Sequence, residues 1–319
     1  MNISEFSKRA GLSTATVSRA FHEPGKVRAK TREHVLALAD KLAYYPNPSG
    51  RALVRGRYDT IGLVWPLEAE GADALFVQRI LAALAEQLTR NNLDLLVCPV
   101  DRRQRGSLDH AKQTFPRSRC DAWILLYPRH NDVLIPALRT SRKPVICLMG
   151  KLAECPGWKW VVMDQHSWME DALRRLWRNG ARRVLFLGCR RGEPDHEERL
   201  AAFNKLAPRF FKRGFLSHPV WPLDVTEVGS LLLAERVDAV IGDDAAVLTA
   251  LRAAKQLGIA VPGDIQIIGI DPIHEKGPAT YRQPLSEMTA CAVELALGRR
   301  LRSQKFEAVF VPGDSIREG

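Results

Sequence analysis

At 319 residues the chain is longer than one hydrophobic core usually supports, so two domains, or one with an appendage, are expected. Hydrophobic residues make up 46% of it and charged residues 26%, globular proportions that exclude a disordered or fibrous polymer. The net charge of +11 leaves two readings, a diffuse solubility feature or the footprint of a polyanionic partner.

Location decides between them. Residues 1–57 carry eleven Lys or Arg against four acidic side chains, a net of +7. The rest of the chain, 36 basic against 32 acidic, carries only +4. The excess is local. The longest apolar runs, such as residues 61–67, fall far short of the roughly 20 residues that span a bilayer. Residues 1–8 lack the apolar core of a secretory signal, so a cytoplasmic protein without membrane contact is expected. The six cysteines are scattered, with no Cys-x-x-Cys and no His at zinc spacing. They are expected as reduced, buried thiols, with no metal, no cofactor and no disulfide.

The first elements in chain order are short helices. Residues 3–10 form an amphipathic stretch stopped by Gly11. Ser13 is a natural N-cap for residues 14–21, because its hydroxyl can accept from an otherwise orphaned amide. The loop His22-Glu23-Pro24-Gly25 ends that helix, and a third covers residues 29–42 with Val35, Leu38, Ala39 and Leu42 at helical spacing. Phe6, Ala10, Leu12, Val17, Ala20 and Val27 complete a small three-helix core. Two short helices joined by a Gly-containing turn, followed by a third, describe a helix-turn-helix unit. Its second helix exposes Thr14, Ala15, Ser18 and Arg19. Small groups let the backbone approach base edges, and arginine takes phosphate or guanine. On periodicity alone, a solvated surface with accidental charge competes with this reading.

The string Ala10-Gly11-Leu12-Ser13-Thr14-Ala15-Thr16-Val17-Ser18-Arg19-Ala20, followed by Val27-Arg28-Ala29-Lys30-Thr31-Arg32 and Tyr45-Pro46-Asn47-Pro48, resembles the headpiece of LacI-family transcriptional repressors. The resemblance implies that Thr14 and Ala15 choose operator bases and that Ser13, Thr16, Arg19 and Thr31 contact bases or phosphates. Arg28 departs from the family's small hydroxyl residue, which caps the third helix. Arginine cannot cap that way but can reach a phosphate. Residues 47–57 read plainly as a flexible basic tether, yet Asn47…Arg51-Ala52-Leu53 resembles the family's hinge helix. Asn47 and Leu53 are its candidate DNA contacts. The resemblance implies that Leu53 wedges into the minor groove at the central step of a pseudo-palindromic operator, the unstacking offset by contacts the bend allows. Gly50 stands where alanine is more usual, at roughly 1 kcal/mol of helix propensity, which makes this hinge more dependent on DNA for its order.

From residue 60 onward, short β-branched runs alternate with helical stretches. Strands are expected near residues 60–65, 94–100, 122–127, 144–148, 161–163, 184–187, 239–242, 265–270 and 308–311. Helices are expected near 75–90, 132–140, 167–179, 198–207, 226–234, 245–257 and 286–302. The alternation implies an α/β fold, and so many strands fit two doubly wound parallel-sheet lobes better than one sheet. A ligand would bind between the lobes, outside the strand C-terminal ends. The expected organisation is a helix-turn-helix headpiece over residues 1–46, a hinge over 47–57 and a two-lobed effector-binding and dimerisation domain over 58–319. The first lobe is expected at residues 60–159 and 284–303, the second at 160–281 and 306–319.

The likeness to the family continues more loosely into this region, whose effector domain is periplasmic-binding-protein-like. It is carried by Asn179-Gly180-Ala181-Arg182-Arg183-Val184-Leu185-Phe186, by Glu198-Arg199-Leu200-Ala201-Ala202-Phe203, by Asp238-Ala239-Val240-Ile241-Gly242-Asp243-Asp244 and by residues 258–271. Ala202 and Gly242 depart from the pattern, as do residues 272–282. The resemblance implies an effector such as a sugar, a nucleobase or a related metabolite. By position, Asp271 and Arg199 match residues that grip it, Trp221 an aromatic wall and Asp164 a cleft edge. A carboxylate and a guanidinium facing one pocket suit a polyhydroxylated ligand. Tryptophan suits the apolar face of a sugar ring. Each has a structural alternative: Asp271 capping the turn before Pro272, Arg199 in a surface ion pair on the helix of Glu198, Trp221 simply packed. Phe76, Trp65 and Tyr127 are the first-lobe candidates, against the commoner place of such aromatics in the core.

No Gly-x-Ser-x-Gly, Walker loop, dinucleotide fingerprint or His-Glu-x-x-His is present, so no enzyme is expected. A transport-type solute receptor would share the two lobes but requires export, which the missing signal and the fused basic headpiece oppose. A cytoplasmic two-lobed binding protein without operator control is the alternative. The expectation is a homodimeric repressor-like regulator, since two headpieces must address half-sites on one DNA face. No heptad tail follows the last strand, so nothing in the sequence suggests a tetramer.

Overall fold

A computed structural model describes residues 1–45, 56–68, 72–271 and 277–317. Asn47, Leu53 and the expected hinge up to residue 55 lie outside the described residues. The chain divides into two compact units, residues 1–60 and 61–319.

The first unit is built on α1 (Ile3–Ala10), α2 (Thr14–His22) and α3 (Ala29–Lys41). Asn2 and Glu5 form a reciprocal capping box at the start of α1, and Gly11, at φ +65°, ends it in a conformation that costs glycine little. Ser13 caps α2, its Oγ accepting from the Thr16 amide at 3.1 Å. Phe6, Ala10, Val17, Ala20, Val35 and Ala39 are buried together. Tyr44 joins them from beyond the end of α3, stacking on Phe6 at 4.2 Å between ring centroids. Tyr44 carries no helical-spacing signal, because the chain has already left the helix when it folds back.

The second unit contains β1 (Thr60–Pro66), β2 (Asp94–Val100), β3 (Ala122–Leu126), β4 (Val145–Leu148), β5 (Lys159–Met163), β6 (Val184–Leu187), β7 (Phe215–His218), β8 (Ala239–Gly242), β9 (Gln266–Ile270), β10 (Ala279–Arg282), β11 (Gln304–Phe306) and β12 (Val309–Val311). They form two six-stranded sheets, ordered β11-β5-β4-β3-β1-β2 and β12-β10-β9-β8-β6-β7. The pairing is parallel at the β1–β3, β3–β4, β6–β8 and β8–β9 ladders, and β12 runs antiparallel to β10. Every residue of β3 and β4 is buried, as continuous apolar runs between helical layers must be. Successive residues of one strand feed opposite cores: Ile124 and Leu126 face the helices Ala72–Arg90 and Leu285–Ala296, while Trp123 and Leu125 face the helices Arg105–Arg117 and Ile135–Thr140. Gly62 is required beside them, because a Cβ there would run into the Trp123 ring. The second sheet is covered likewise, by Gln165–Arg178 and Pro194–Phe211 on one face and by Val225–Ala234 and Asp244–Leu257 on the other. The result is two doubly wound α/β lobes.

Three strands and one helix carry no clear signal in the sequence. β7, β10 and β11 are three or four residues long, and β11, Gln-Lys-Phe, is a polar edge strand. The helix Arg105–Arg117 buries only Ala111 and Phe115 and has Pro116 in its last turn. The expected lobe boundaries are corrected at two places. β5 pairs with β4 and with β11 in the first sheet, so the first lobe runs through Met163 rather than 159, and it regains residues 304–306. Backbone pairing decides this, and an apolar triplet such as Val161-Val162-Met163 fits either lobe. The last long helix stops at Ala296 instead of reaching Arg302, with Gly298 at φ +69° just beyond it. Among the described residues no helix is long and apolar enough to cross a membrane.

Candidate DNA-binding face and effector cleft

On α2 the buried residues Val17 and Ala20 lie on one side. Thr14, Ala15 and Arg19 are exposed on the other, with Ser18 half-buried among them. The helix has no acidic residue in its first turn, so its positive dipole end is uncompensated there. Ser13 Oγ also shares a hydrogen bond with Thr16 Oγ1 at 2.9 Å, which ties both hydroxyls to that end. Arg28 occupies the N-cap position of α3 without a side-chain cap bond and is exposed; Thr31 follows, half-buried.

Between the lobes of the second unit lies a cavity of about 180 Å³. Glu68, Arg102, Tyr127 and Arg129 line it from the first lobe, Arg190, Glu193 and Trp221 from the second. A chain of ion pairs crosses it. Glu68 Oε1 accepts from Arg102 Nη1 at 2.9 Å and lies 3.3 Å from Arg129 Nη2, which is equally 3.3 Å from Glu193 Oε1. Arg102 is fully engaged, with Asp132 on its other side at 3.0 Å. The lobes are tied further where the His130 amide donates to Gly192 O at 2.8 Å and where Lys305 Nζ meets Glu198 Oε1 at 3.1 Å.

Deeper in the second lobe, Arg199 is only 3% exposed. Its Nη2 donates to Asp195 Oδ2 at 2.9 Å and its Nε to Gln165 Oε1 at 3.2 Å. Gln165 is completed by its own amide on Asp195 and by the Trp168 indole, so the guanidinium is held on two sides. Arg199 does pair within Glu198's helix, with Asp195 four residues before it, but the pair is buried rather than on the surface. Asp271 follows β9 at φ +73°, an uncommon conformation for a residue with a Cβ, and Gln283 Nε2 donates to its Oδ1 at 2.7 Å. Loss of solvent pushes its carboxyl up to about 7 against the pull of Arg199 and Gln283, with Asp195 and Asp243 adding to the rise. Burial also raises Asp195 and drives His196 well below the usual imidazole range, so His196 is neutral.

The remaining candidates separate. Tyr127, at φ +48°, lines the cavity and its carbonyl accepts from Arg102. Trp221 lines it too, with the Arg190 guanidinium 4.3 Å from its ring centroid. Phe76, 8% exposed, packs into the first-lobe core, and Trp65 packs partly against the same cluster. Asp164 caps the helix Gln165–Arg178 through the His166 amide and lies 3.8 Å from Lys305. Sequence reasoning missed Glu68, Arg102, Arg129, Arg190, Glu193, Gln165, Asp195 and Gln283. All are polar residues in loops or at helix starts, where no periodicity marks them.

Comparison with known proteins agrees with this geometry. Residues 2–47 match the family described as bacterial regulatory proteins, lacI family, and residues 173–316 match the periplasmic binding protein-like domain. The ribose operon repressor of Bacillus subtilis (strain 168) is 27% identical over 310 residues, covering 93% of this chain and 90% of that protein. Among solved structures, the Lac repressor bound to ONPG in its repressed state superposes with a TM-score of 0.79 at 20% identity, covering 99% of both chains. A complex of the transcriptional regulator CelR with cellobiose gives 0.68 at 22% identity, also over 99% of both. Residues 2–47 thus form a lacI-family DNA-binding headpiece, joined to a periplasmic-binding-protein-like domain, the make-up of a DNA-binding transcriptional regulator.

Proposed function

We propose that the chain works as a homodimer on a pseudo-palindromic operator, its affinity for that DNA set by a polyhydroxylated small molecule held between the lobes. The observation that carries this reading is the cavity whose walls come from both lobes, with Tyr127 and Arg129 on one side and Arg190 and Trp221 on the other. A ligand contacting both walls favours one lobe arrangement, and its differential affinity for the two arrangements shifts operator affinity by the same factor. The sugar-related relatives support a carbohydrate-like ligand, with Trp221 against its ring and Arg199 and Asp271 toward its hydroxyls. In the headpiece, Thr14 and Ala15 read bases, and Ser13, Thr16, Ser18, Arg19, Arg28 and Thr31 position the helix on the duplex. Asn47 and Leu53 belong to a hinge that orders on the operator, with Leu53 as the minor-groove wedge. A regulator of this kind acts in the cytoplasm.

The test uses the full chain. Operator fragments selected from random duplex DNA are titrated at several salt concentrations, with and without a panel of sugars. Expected are a steep loss of affinity with salt and at least one sugar that changes operator affinity. Binding to no selected sequence, or operator binding indifferent to every sugar, would refute the reading.

A further inference from the structure

Parallel pairing of β1, β3, β4, β5 and β11 sets the starts of all five strands along one edge of the first sheet. The interlobe cavity belongs to the opposite edge, where Pro66 ends β1 and Tyr127 follows β3. The segments at the starts of β3, β4, β5 and β11, residues 117–121, 141–144, 157–159 and 298–303, hold eight Lys or Arg and one acidic residue, Asp121. Their net of +7 exceeds the +4 of all residues from 58 onward, so the rest of that region is slightly acidic. The charge asymmetry of the headpiece recurs at this edge.

Arg117, Arg119, Arg142, Lys159 and Arg302 are exposed. The side chains of Arg117, Arg142, Lys159 and Arg302 have no ion-pair or hydrogen-bond partner among the described residues. The segments before β3 and β4 touch, since Lys143 Nζ donates to the carbonyl of Ser118. A helix C-terminus favours a cation such as Arg117, which ends the helix Arg105–Arg117. Lys159 and Arg302 stand at least six residues past the preceding helix, so that effect does not explain them. Four adjacent strands spread this charge over about 14 Å, a length along which one strand of a duplex presents about four phosphates. β1, whose start lies on the same edge, is the strand by which the chain arrives from the headpiece.

We propose that this edge is a second DNA-contacting surface, meeting the phosphates of the duplex that flanks the operator while the headpiece reads the operator itself. Arg117, Arg142, Lys159 and Arg302 take phosphate oxygens, and no base edge is read there. An anionic lipid surface matches the charge equally, but the arrival of the chain from the headpiece at this edge favours the duplex. The proposal rests on operator binding by the headpiece.

The experiment titrates the full-length protein, by fluorescence anisotropy, with its selected operator in two duplexes. One is trimmed to the operator and the other extended by about 15 base pairs, roughly one and a half helical turns, on each side. The wild type is expected to bind the extended duplex about tenfold more tightly at low salt, with a salt slope steeper by about 2–3, since each neutralised phosphate adds about 0.9. The triple variant Arg117→Gln, Arg142→Gln and Lys159→Gln is expected to lose that gain. On the trimmed duplex it should keep the affinity and base preference of the wild type. Arg117→Lys with Arg142→Lys, which preserves the charge, is expected to retain the gain. Equal binding of both duplexes by the wild type, or an undiminished gain in the triple variant, overturns the proposal. An equal loss on both duplexes in the triple variant also overturns it, since the charge then acts through the field of the whole protein. Loss of the gain in the charge-preserving variant does the same, because charge is then not what the flanks meet. Retention of the wild type but not the triple variant on phosphatidylserine vesicles, with no gain from the flanks, assigns the edge to a lipid surface instead. Failure of the wild type to bind any selected duplex overturns the operator reading together with this one.

Discussion

Arg129 Nη2 of the first lobe lies 3.3 Å from Glu193 Oε1 of the second, so the cleft is bridged by opposite charges from its two walls. The Arg129 side chain is 33% exposed, and such a pair contributes about 0–1 kcal/mol to stability. Its effect is on lobe geometry. Arg129→Gln should leave the melting temperature nearly unchanged while increasing the radius of gyration of the ligand-free protein by small-angle scattering. An unchanged scattering profile would mean that the His130–Gly192 and Lys305–Glu198 ties hold the lobes alone.

Arg199 and Asp195 present the opposite case, a pair with both members buried. Removing one partner strands a charge, and Arg199→Met is expected to cost about 3–5 kcal/mol. Asp195→Asn in the same chain should recover much of that loss, because the carboxylate that needed the guanidinium is gone. Chemical denaturation of the two single variants and the double variant measures the coupling. Additive losses would show that the two residues act independently.

Asp271 gives stability a pH dependence. Its folded pKa of about 7 lies above the unfolded value of about 3.9, so the folded state holds the proton more tightly. Its contribution is therefore full below about pH 4, is lost progressively as pH rises toward 7, and stays lost above that. Burial is the main cause of this rise; Arg199 and Gln283 pull against it, and Asp195 and Asp243 add to it. In Asp271→Asn, the ligand-free melting temperature relative to wild type should climb between pH 5 and 7.5. Parallel curves for the two proteins would remove Asp271 as the titrating group.

For the headpiece, Arg19→Ala should weaken binding to all duplexes and lower the slope of log affinity against log salt by about 1, if Arg19 meets phosphate. Thr14→Ala should instead change which base is preferred at one operator position. Fluorescence anisotropy on single-substitution operators separates the two effects. An unaltered base preference in Thr14→Ala would take Thr14 out of base readout.

The headpiece was the most legible part of the sequence. Its order follows from local rules, a Ser13 cap, a Gly11 stop and apolar residues at helical spacing, and each acts within a few residues. Nine of the twelve described strands were readable for a similar reason, since runs such as Ala122–Leu126 are buried on both faces and leave a continuous apolar signature. Trp221, Arg199 and Asp271 came into view through the resemblance alone. Their partners did not, because Gln165 reaches Arg199 from 34 positions away and Glu68 reaches Arg102 from the same separation.

Composition at the outset gave a net charge whose excess lay in the first 57 residues, and that asymmetry, with the α2 motif, determined the nucleic-acid partner. Charge count and local pattern are properties of the chain itself. The lobe membership of β5 and β11, and the chain of ion pairs that crosses the cleft through Glu68, Arg129 and Glu193, were decided only by the tertiary structure. Sheet pairing and burial act on residues brought together from far along the chain, and the electrostatic character of a pocket exists only once its walls have met.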